Sequence, residues 1–287
     1  MAGNSGSGRS SPSLPNGEFR VFEREGLCLV CSYSGENEIT VSPSSQHLSD
    51  ETDRQRIVPA LLSAILDLSL EDIESIVFGL LPVEHLEEFQ SHIERLQKSS
   101  GSEWGEFGEG RQVHECSRYL SPDLETLAEP AHRPSSVDFV LLSRDNPEYE
   151  TLKKKVVDCL EGETTVDAET VDSYSANSKH LVPPIVALCK ETGNVLGYIH
   201  QDWDDLSFGA LFVLPEARGK GLGSALLGEA AWQKKLRGDH RFAVTHVDTD
   251  NEASQATHAK AGWSADPGGL VGWLQYDRKN KEGDDSV

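Results

Sequence analysis

The sequence predicts a mixed-sheet α/β fold for residues 136–279, preceded by a smaller α+β unit over residues 19–98. Three observations carry this. From Val137 onward, segments of strand and helix character alternate. One apolar strand enters a glycine-dense basic turn and then an amphipathic helix. Residues 19–98 instead group short strands ahead of helical periodicities. Between the units, residues 99–135 are rich in Gly, Glu, Ser and Pro and read as a linker; residues 1–18 and 280–287 read as disordered tails.

The chain has 287 residues, enough for about two domains. Its net charge of −22 opposes nucleic-acid binding, which needs a basic face. No stretch approaches the roughly 18 apolar residues of a membrane helix. Met1 to Gly17 lacks the apolar core of a secretory signal. Five scattered cysteines, Cys28, Cys31, Cys116, Cys159 and Cys189, suit a reducing compartment, so a cytoplasmic or nuclear protein is expected. Cys28 and Cys31 with His114 and Cys116 could supply four zinc ligands. The first pair lies in an apolar strand, however, where cysteine serves as a small core residue, and no metal is expected.

In the first unit, Phe19 to Val41 suggests two or three strands with a polar turn at Gly35-Glu36-Asn37-Glu38. Three helices are expected next. Ser49-Asp50-Glu51-Thr52 caps the first, with Ile57, Leu61 and Ile65; Ser69 opens a second over Ile73, Ile76, Val77 and Leu80; Val83 to Leu96 forms the third. In the second unit the order is strand (Val137–Leu142), helices (Pro147–Leu160 and Val166–Ser178), then strands Ile185–Cys189 and Val195–His200 joined by the hairpin signal Glu191-Thr192-Gly193-Asn194. The strand Leu206–Leu214, helix Leu222–Leu236, strand Phe242–Asp248, a helix capped by Asn251 and ending at Gly262, and the strand Gly269–Tyr276 complete it.

The turn Arg218-Gly219-Lys220-Gly221-Leu222-Gly223-Ser224 has the construction of a phosphate cradle, because N–H groups at a helix start lack intrahelical partners and carry partial positive charge. A dinucleotide fingerprint would need a third glycine, and a P-loop a terminal Gly-Lys-Ser/Thr; both are absent. Arg218, Lys220, Lys234, Lys235, Arg237 and Arg241 supply local positive charge in this acidic chain. The arrangement Arg218-x-x-Gly221-x-Gly223 resembles the pyrophosphate signature of the GNAT superfamily of N-acetyltransferases. Asn251 to Trp263 is similar to that family's second block, Asn-x-x-Ser/Ala…Tyr-x-x-x-Gly-Phe. The resemblance covers Val137 to about Arg278, and His246-Val247-Asp248-x-x-Asn251 is also similar to the glycine N-acyltransferase branch.

The resemblance implies that acyl-CoA, acetyl-CoA in the first place, lies between two splayed strands, 206–214 and 242–248. Backbone groups of Leu211, Phe212 and Val213 would bond the pantetheine arm and the thioester carbonyl. Arg218, Gly219, Lys220, Gly221, Leu222, Gly223 and Ser224 would hold the pyrophosphate, and Asn251 the pantetheine or the strand-to-helix corner. His246 stands where relatives place a base, and a buried, hydrogen-bonded histidine is the other reading. Asp248 could orient His246 or act through water. His258 replaces the family's tyrosine acid and is either a proton donor or a packing residue. Asp202, Asp204 and Asp205 could attract a cationic amine or simply form a solvated loop. The acceptor would be an amine on a small molecule or protein; the other class of function is a catalytically weak acyl-CoA-binding module for interaction or sensing.

Overall fold

The structure is a computed structural model and describes residues 19–34, 37–43, 51–66, 70, 72–99, 102–130, 133–161, 166–175, 181–202, 206–238 and 241–279. Both expected tails, the turn residues Gly35 and Glu36, the caps Ser49 and Asp50, and Asp204 and Asp205 lie outside these residues. Strands β1 (Phe19–Arg24), β2 (Leu27–Ser34) and β3 (Glu38–Pro43) are followed by α1 (Glu51–Ile65), β4 (Ser75–Pro82), α2 (Leu86–Gln97) and β5 (Arg111–Leu120). The second half contains β6 (Val137–Leu141), α3 (Tyr149–Leu160), α4 (Ala168–Tyr174), β7 (Ile185–Cys189), β8 (Val195–Gln201), β9 (Phe208–Val213), α5 (Leu222–Arg237), β10 (Val244–Asp248), α6 (Glu252–Lys260) and β11 (Ser264–Asp277). Among the described residues, eleven strands join one mixed sheet, ordered β1-β2-β3-β4-β11-β5-β10-β9-β8-β7-β6.

Two parts of the first half differ from expectation. The segment expected as a helix from Ser69, over Ile73, Ile76, Val77 and Leu80, carries strand β4 instead. Its core, Ile76-Val77-Phe78-Gly79-Leu80-Leu81, is nearly continuously apolar because both faces are covered, and such a run fits a buried strand as well as a helix. The stretch read as a linker contains β5, which lies in the middle of the sheet. The polar face of Arg111-Gln112-Val113-His114-Glu115 concealed it, since four of those five residues lose little exposure on folding.

The strand order reads nearly the same from both ends, and the connectivity explains why. The series β1-β2-β3-α1-β4-α2-β5 matches β7-β8-β9-α5-β10-α6-β11 element for element, with the same antiparallel pairs and one parallel pair in each. The last strand of each series crosses to the other half: β11 pairs with β4, and β5 pairs with β10. The chain is thus an internal repeat with exchanged final strands. Among the described residues, β6, α3 and α4 precede the second copy and have no counterpart before the first.

The copies differ at their parallel pair. In the first, β3 and β4 pair over four positions, from Glu38↔Ser75 to Val41↔Phe78. In the second, β9 and β10 meet at Thr245↔Phe208 alone and then diverge. Strand β9 also carries a bulge: Gly209 and Phe212 pair with His200 and Tyr198, leaving two residues opposite one, with Ala210 at φ 45°. Helix α5 lies directly on β8, where a Cβ on Gly197 would come within 3.0 Å of Leu226 Cδ1. That contact sets the start of α5 beside the divergence.

Each half has its own core. Phe78, Phe89, Trp104 and Tyr276 cluster in the first; Ile199, Phe208, Leu226, Leu227 and Trp263 lie in the second. Val30 of β2 packs with Leu181 and Leu206 of the second half, so the sheet curls toward the face that carries α3 and α4. Among the described residues no helix is long and apolar enough to cross a membrane. Leu274, on the exchanged strand β11, is 1% exposed in the core of the first half. Leu274→Ala is expected to cost about 2–5 kcal/mol and, because each half closes the other, to lower a single transition in urea. Circular dichroism and tryptophan fluorescence melts that separate into two steps would count against this.

Candidate functional site

The site begins with the conformation of the glycine turn. Gly219 and Gly221 lie at φ 73° and 79°, in the left-handed region that disfavours a side chain, and Gly221 is the N-cap of α5 without any side-chain cap. The first N–H groups of α5 are therefore left to an external acceptor, and no acidic side chain stands in its first turn. They face a cleft of about 550 Å³ opened by the divergence of β9 and β10.

The cleft brings together nearly all the residues that the sequence assigned to it. Leu211, Phe212 and Val213 line one wall, Arg218, Gly219, Gly221, Leu222, Gly223 and Ser224 the floor, and Asn251 the other wall. Lys220 is not part of the lining: its Nζ donates to the Glu216 carbonyl at 2.9 Å. Arg218 Nε likewise donates to the Val213 carbonyl at 2.9 Å, bracing strand against turn. Asn251 caps α6, its side chain accepting from the Ser254 N–H at 3.0 Å.

Sequence reasoning missed Ala253, Ser254, Thr257 and Lys260 of α6, which complete the lining. A Cβ on Gly221 would lie 3.9 Å from Lys260 Nζ, so this ammonium stands over the turn. It reads in sequence as an ordinary cation in the last turn of a helix, and only the packing of α6 on α5 gives it another meaning. The reverse holds for the cationic cluster. Lys234, Lys235 and Arg237 occupy the last turn of α5, about 18–22 Å from its start. Lys235 donates to the Glu125 and Leu127 carbonyls, and Arg241 pairs with Asp123. They do not belong to the cradle.

His246 lies on β10 on the face opposite α6. Its Nδ1 is 3.1 Å from Ser207 Oγ, and its ring meets Trp273 edge to face at 5.7 Å. Burial, then the charges of Arg118 and His114, hold its pKa well below the ordinary histidine value. Asp248 shares that face but pairs with His114 of β5 at 3.1 Å, whereas the partner of His246 here is Ser207. His258 is on α6, 2% exposed, between Tyr119 and Trp263. Its Nδ1 lies 2.8 Å from the Ser254 carbonyl, which can only accept, so the proton is on Nδ1. Nε2 is buried without a partner among the described residues, and burial lowers this pKa as well.

Cys28 and Cys31, three residues apart on β2, point to opposite faces of the sheet. Burial raises the Cys28 pKa to about 11. Among the described residues no group of three or more His, Cys, Asp or Glu side chains is arranged to hold a metal.

Residues 150–263 match the family model described as Acetyltransferase (GNAT) family. No curated protein matches the chain. Among solved structures, a Drosophila protein from a structural genomics consortium is similar at 15% identity and a TM-score of 0.55, covering 90% of this chain and 78% of that one. That likeness supports the fold across both halves. A GCN5-related N-acetyltransferase from Kribbella flavida shares 12% identity with a TM-score of 0.49, covering 90% of this chain and 89% of that chain. A tandem GNAT protein from the clavulanic acid biosynthesis pathway shares 15% identity with a TM-score of 0.47, covering 89% and 81%.

The half-buried His246 and the buried His258 imply a pH dependence of stability. Their folded-state pKa values are depressed from 6.5, so as pH falls below about 6.5 the unfolded chain binds protons before the folded one does. Stability from this source is full above pH 6.5 and declines below it, at up to about 1.4 kcal/mol per pH unit for each ring. The urea midpoint should drop between pH 7.5 and 5.5, and drop less in His258→Gln; equal slopes would show that the ring titrates normally.

Proposed function

Because residues 150–263 match the model of the acetyltransferase (GNAT) family, we propose that this chain transfers an acyl group, acetyl in the first place, from acyl-CoA to a primary amine by direct attack. One observation carries the reading: the uncapped, left-handed glycine start of α5 opens into the cleft between β9 and β10. Pyrophosphate oxygens would accept from the first N–H groups of α5, with Lys260 adding charge. The pantetheine arm would run along the unpaired edge of β9 at Leu211 to Val213. The bulge at Ala210 turns backbone groups toward the thioester, where an N–H stabilises the oxyanion as it forms.

In this reading the amine nitrogen forms a bond to the thioester carbon, the C–S bond breaks, and the pair leaves on sulfur, which takes up through solvent the second proton that the nitrogen sheds as the amide forms. The ammonium must first lose a proton. His246 is kept neutral at pH 7 by burial and by Arg118, so it offers a lone pair for that proton while Ser207 holds the ring. His258 has its proton on Nδ1, engaged by the Ser254 carbonyl, and presents only an acceptor at Nε2. The thiolate then leaves without help from His258, which is tolerable for a thiol whose pKa is about 8.5. The same feature favours the second reading, an acyl-CoA-binding module with little turnover.

Thiol release from acetyl-CoA over a panel of amines, amino acids and lysine peptides separates the two. Amine-dependent release is expected, and His246→Ala should lower kcat about 10²–10⁴-fold while leaving CoA affinity within twofold. Tight CoA binding with no amine-dependent release would establish the module instead. Gly221→Ala forces a side chain into the left-handed region at a cost of about 1–2 kcal/mol, so CoA binding by calorimetry should weaken roughly 5–30-fold. Unchanged affinity would detach the glycine turn from the cofactor.

A further inference from the structure

We infer that the acceptor is a small aliphatic amine, recognised at the seam between the two halves by Trp273, His114 and Asp248. This rests on the acyl-transfer reading and adds the recognition chemistry. The exchange of final strands puts β5 and β11 side by side next to β10, so residues from both copies surround His246. Arg118 is directly opposite His246 in the register, and His114 is opposite Trp273. Trp273 lies between two histidines, with ring centroids 5.1 Å from His114 and 5.7 Å from His246. Asp248, two residues beyond His246 on the same face, is bonded to His114 at 3.1 Å.

Exposure gives this group a direction. The His114 and Asp248 side chains are 50% and 54% exposed, whereas Arg118 and Asp266, ion-paired at 2.5 Å, are 1% exposed. A molecule approaching His246 on this face therefore passes a carboxylate and an indole before it meets a closed floor. That pair of groups suits an alkylammonium: the carboxylate attracts the charge and the indole face accepts the cation and its methylenes. The net charge of −22 draws the same class of ligand.

A second, independent observation marks the inner end. Ser42 is 1% exposed, and its Oγ has no partner among the described residues. A Cβ on Gly79 would collide with that Oγ and stand 2.8 Å from Trp273 Nε1, so both polar atoms converge where a glycine leaves room. An unsatisfied buried hydroxyl is costly unless a ligand or water completes it.

The test uses the full chain with saturating acetyl-CoA for turnover and saturating CoA for binding, and 1,4-diaminobutane, n-butylamine and a lysine-containing peptide as probes. Trp273→Leu and His114→Gln are expected to raise the KM for the two free amines about tenfold, with CoA affinity unchanged. Calorimetric binding of 1,4-diaminobutane to the CoA-loaded protein should weaken by a similar factor in Trp273→Leu, a readout that does not need turnover. Equal amine binding by wild type and both variants overturns the inference even if acyl transfer is observed. A higher kcat/KM for the peptide than for both free amines also overturns it. If acyl transfer is absent but amine binding depends on Trp273, the recognition site stands and the transferase reading fails.

Discussion

Everything in this chain depends on the antiparallel pairing of β5 with β11 at the centre of the sheet. Neither half is closed without the last strand of the other, since β4 is covered by β11 and β10 by β5. The buried pair Arg118–Asp266 joins the two strands at this seam. A buried ion pair is poor evidence of net stability, because desolvation offsets most of the attraction, but removing one partner strands the other and costs about 3–5 kcal/mol. Its consequence here is positional. It fixes a positive charge beneath His246, which helps to keep that imidazole neutral.

Two copies of one connectivity have reached opposite outcomes at their parallel strand pair. Four paired positions keep β3 and β4 together, so backbone groups that would otherwise face a ligand satisfy one another. One paired position leaves β9 and β10 apart, and the free edge of β9 meets the uncapped start of α5. The sequence entering α1, Ser44 to Asp50, contains no glycine and no lysine or arginine, whereas Arg218 to Gly223 contains three glycines and two cations. The first copy therefore has the frame without the cradle. Its contribution to the site is strand β5, with His114 and Arg118.

The second half was legible almost throughout, because its signals are local. The left-handed stop at Gly262, the Asn251 cap and the glycine turn each depend on a few neighbouring residues, and each is found where the pattern puts it. Strand β4 was misread because a strand buried on both faces has no alternation to distinguish it from a helix. Strand β5 was missed because a strand with an exposed end looks like polar linker until its partners are known. Lys260 and the cations of α5 show the same limit for charge, since closeness along the chain said little about distance to the turn.

By itself the sequence determined the phosphate-cradle turn, its strand and its helix, because backbone conformation at glycine and the cap of a helix are set by adjacent residues. Only the tertiary structure decided that the halves exchange their last strands, that Asp248 pairs with His114, and that His258 has its proton on Nδ1. The first two depend on contacts between residues more than a hundred positions apart, of which periodicity and spacing carry no trace. The third is a contact four residues back in the same helix, and the packing of the ring between Tyr119 and Trp263 selects it.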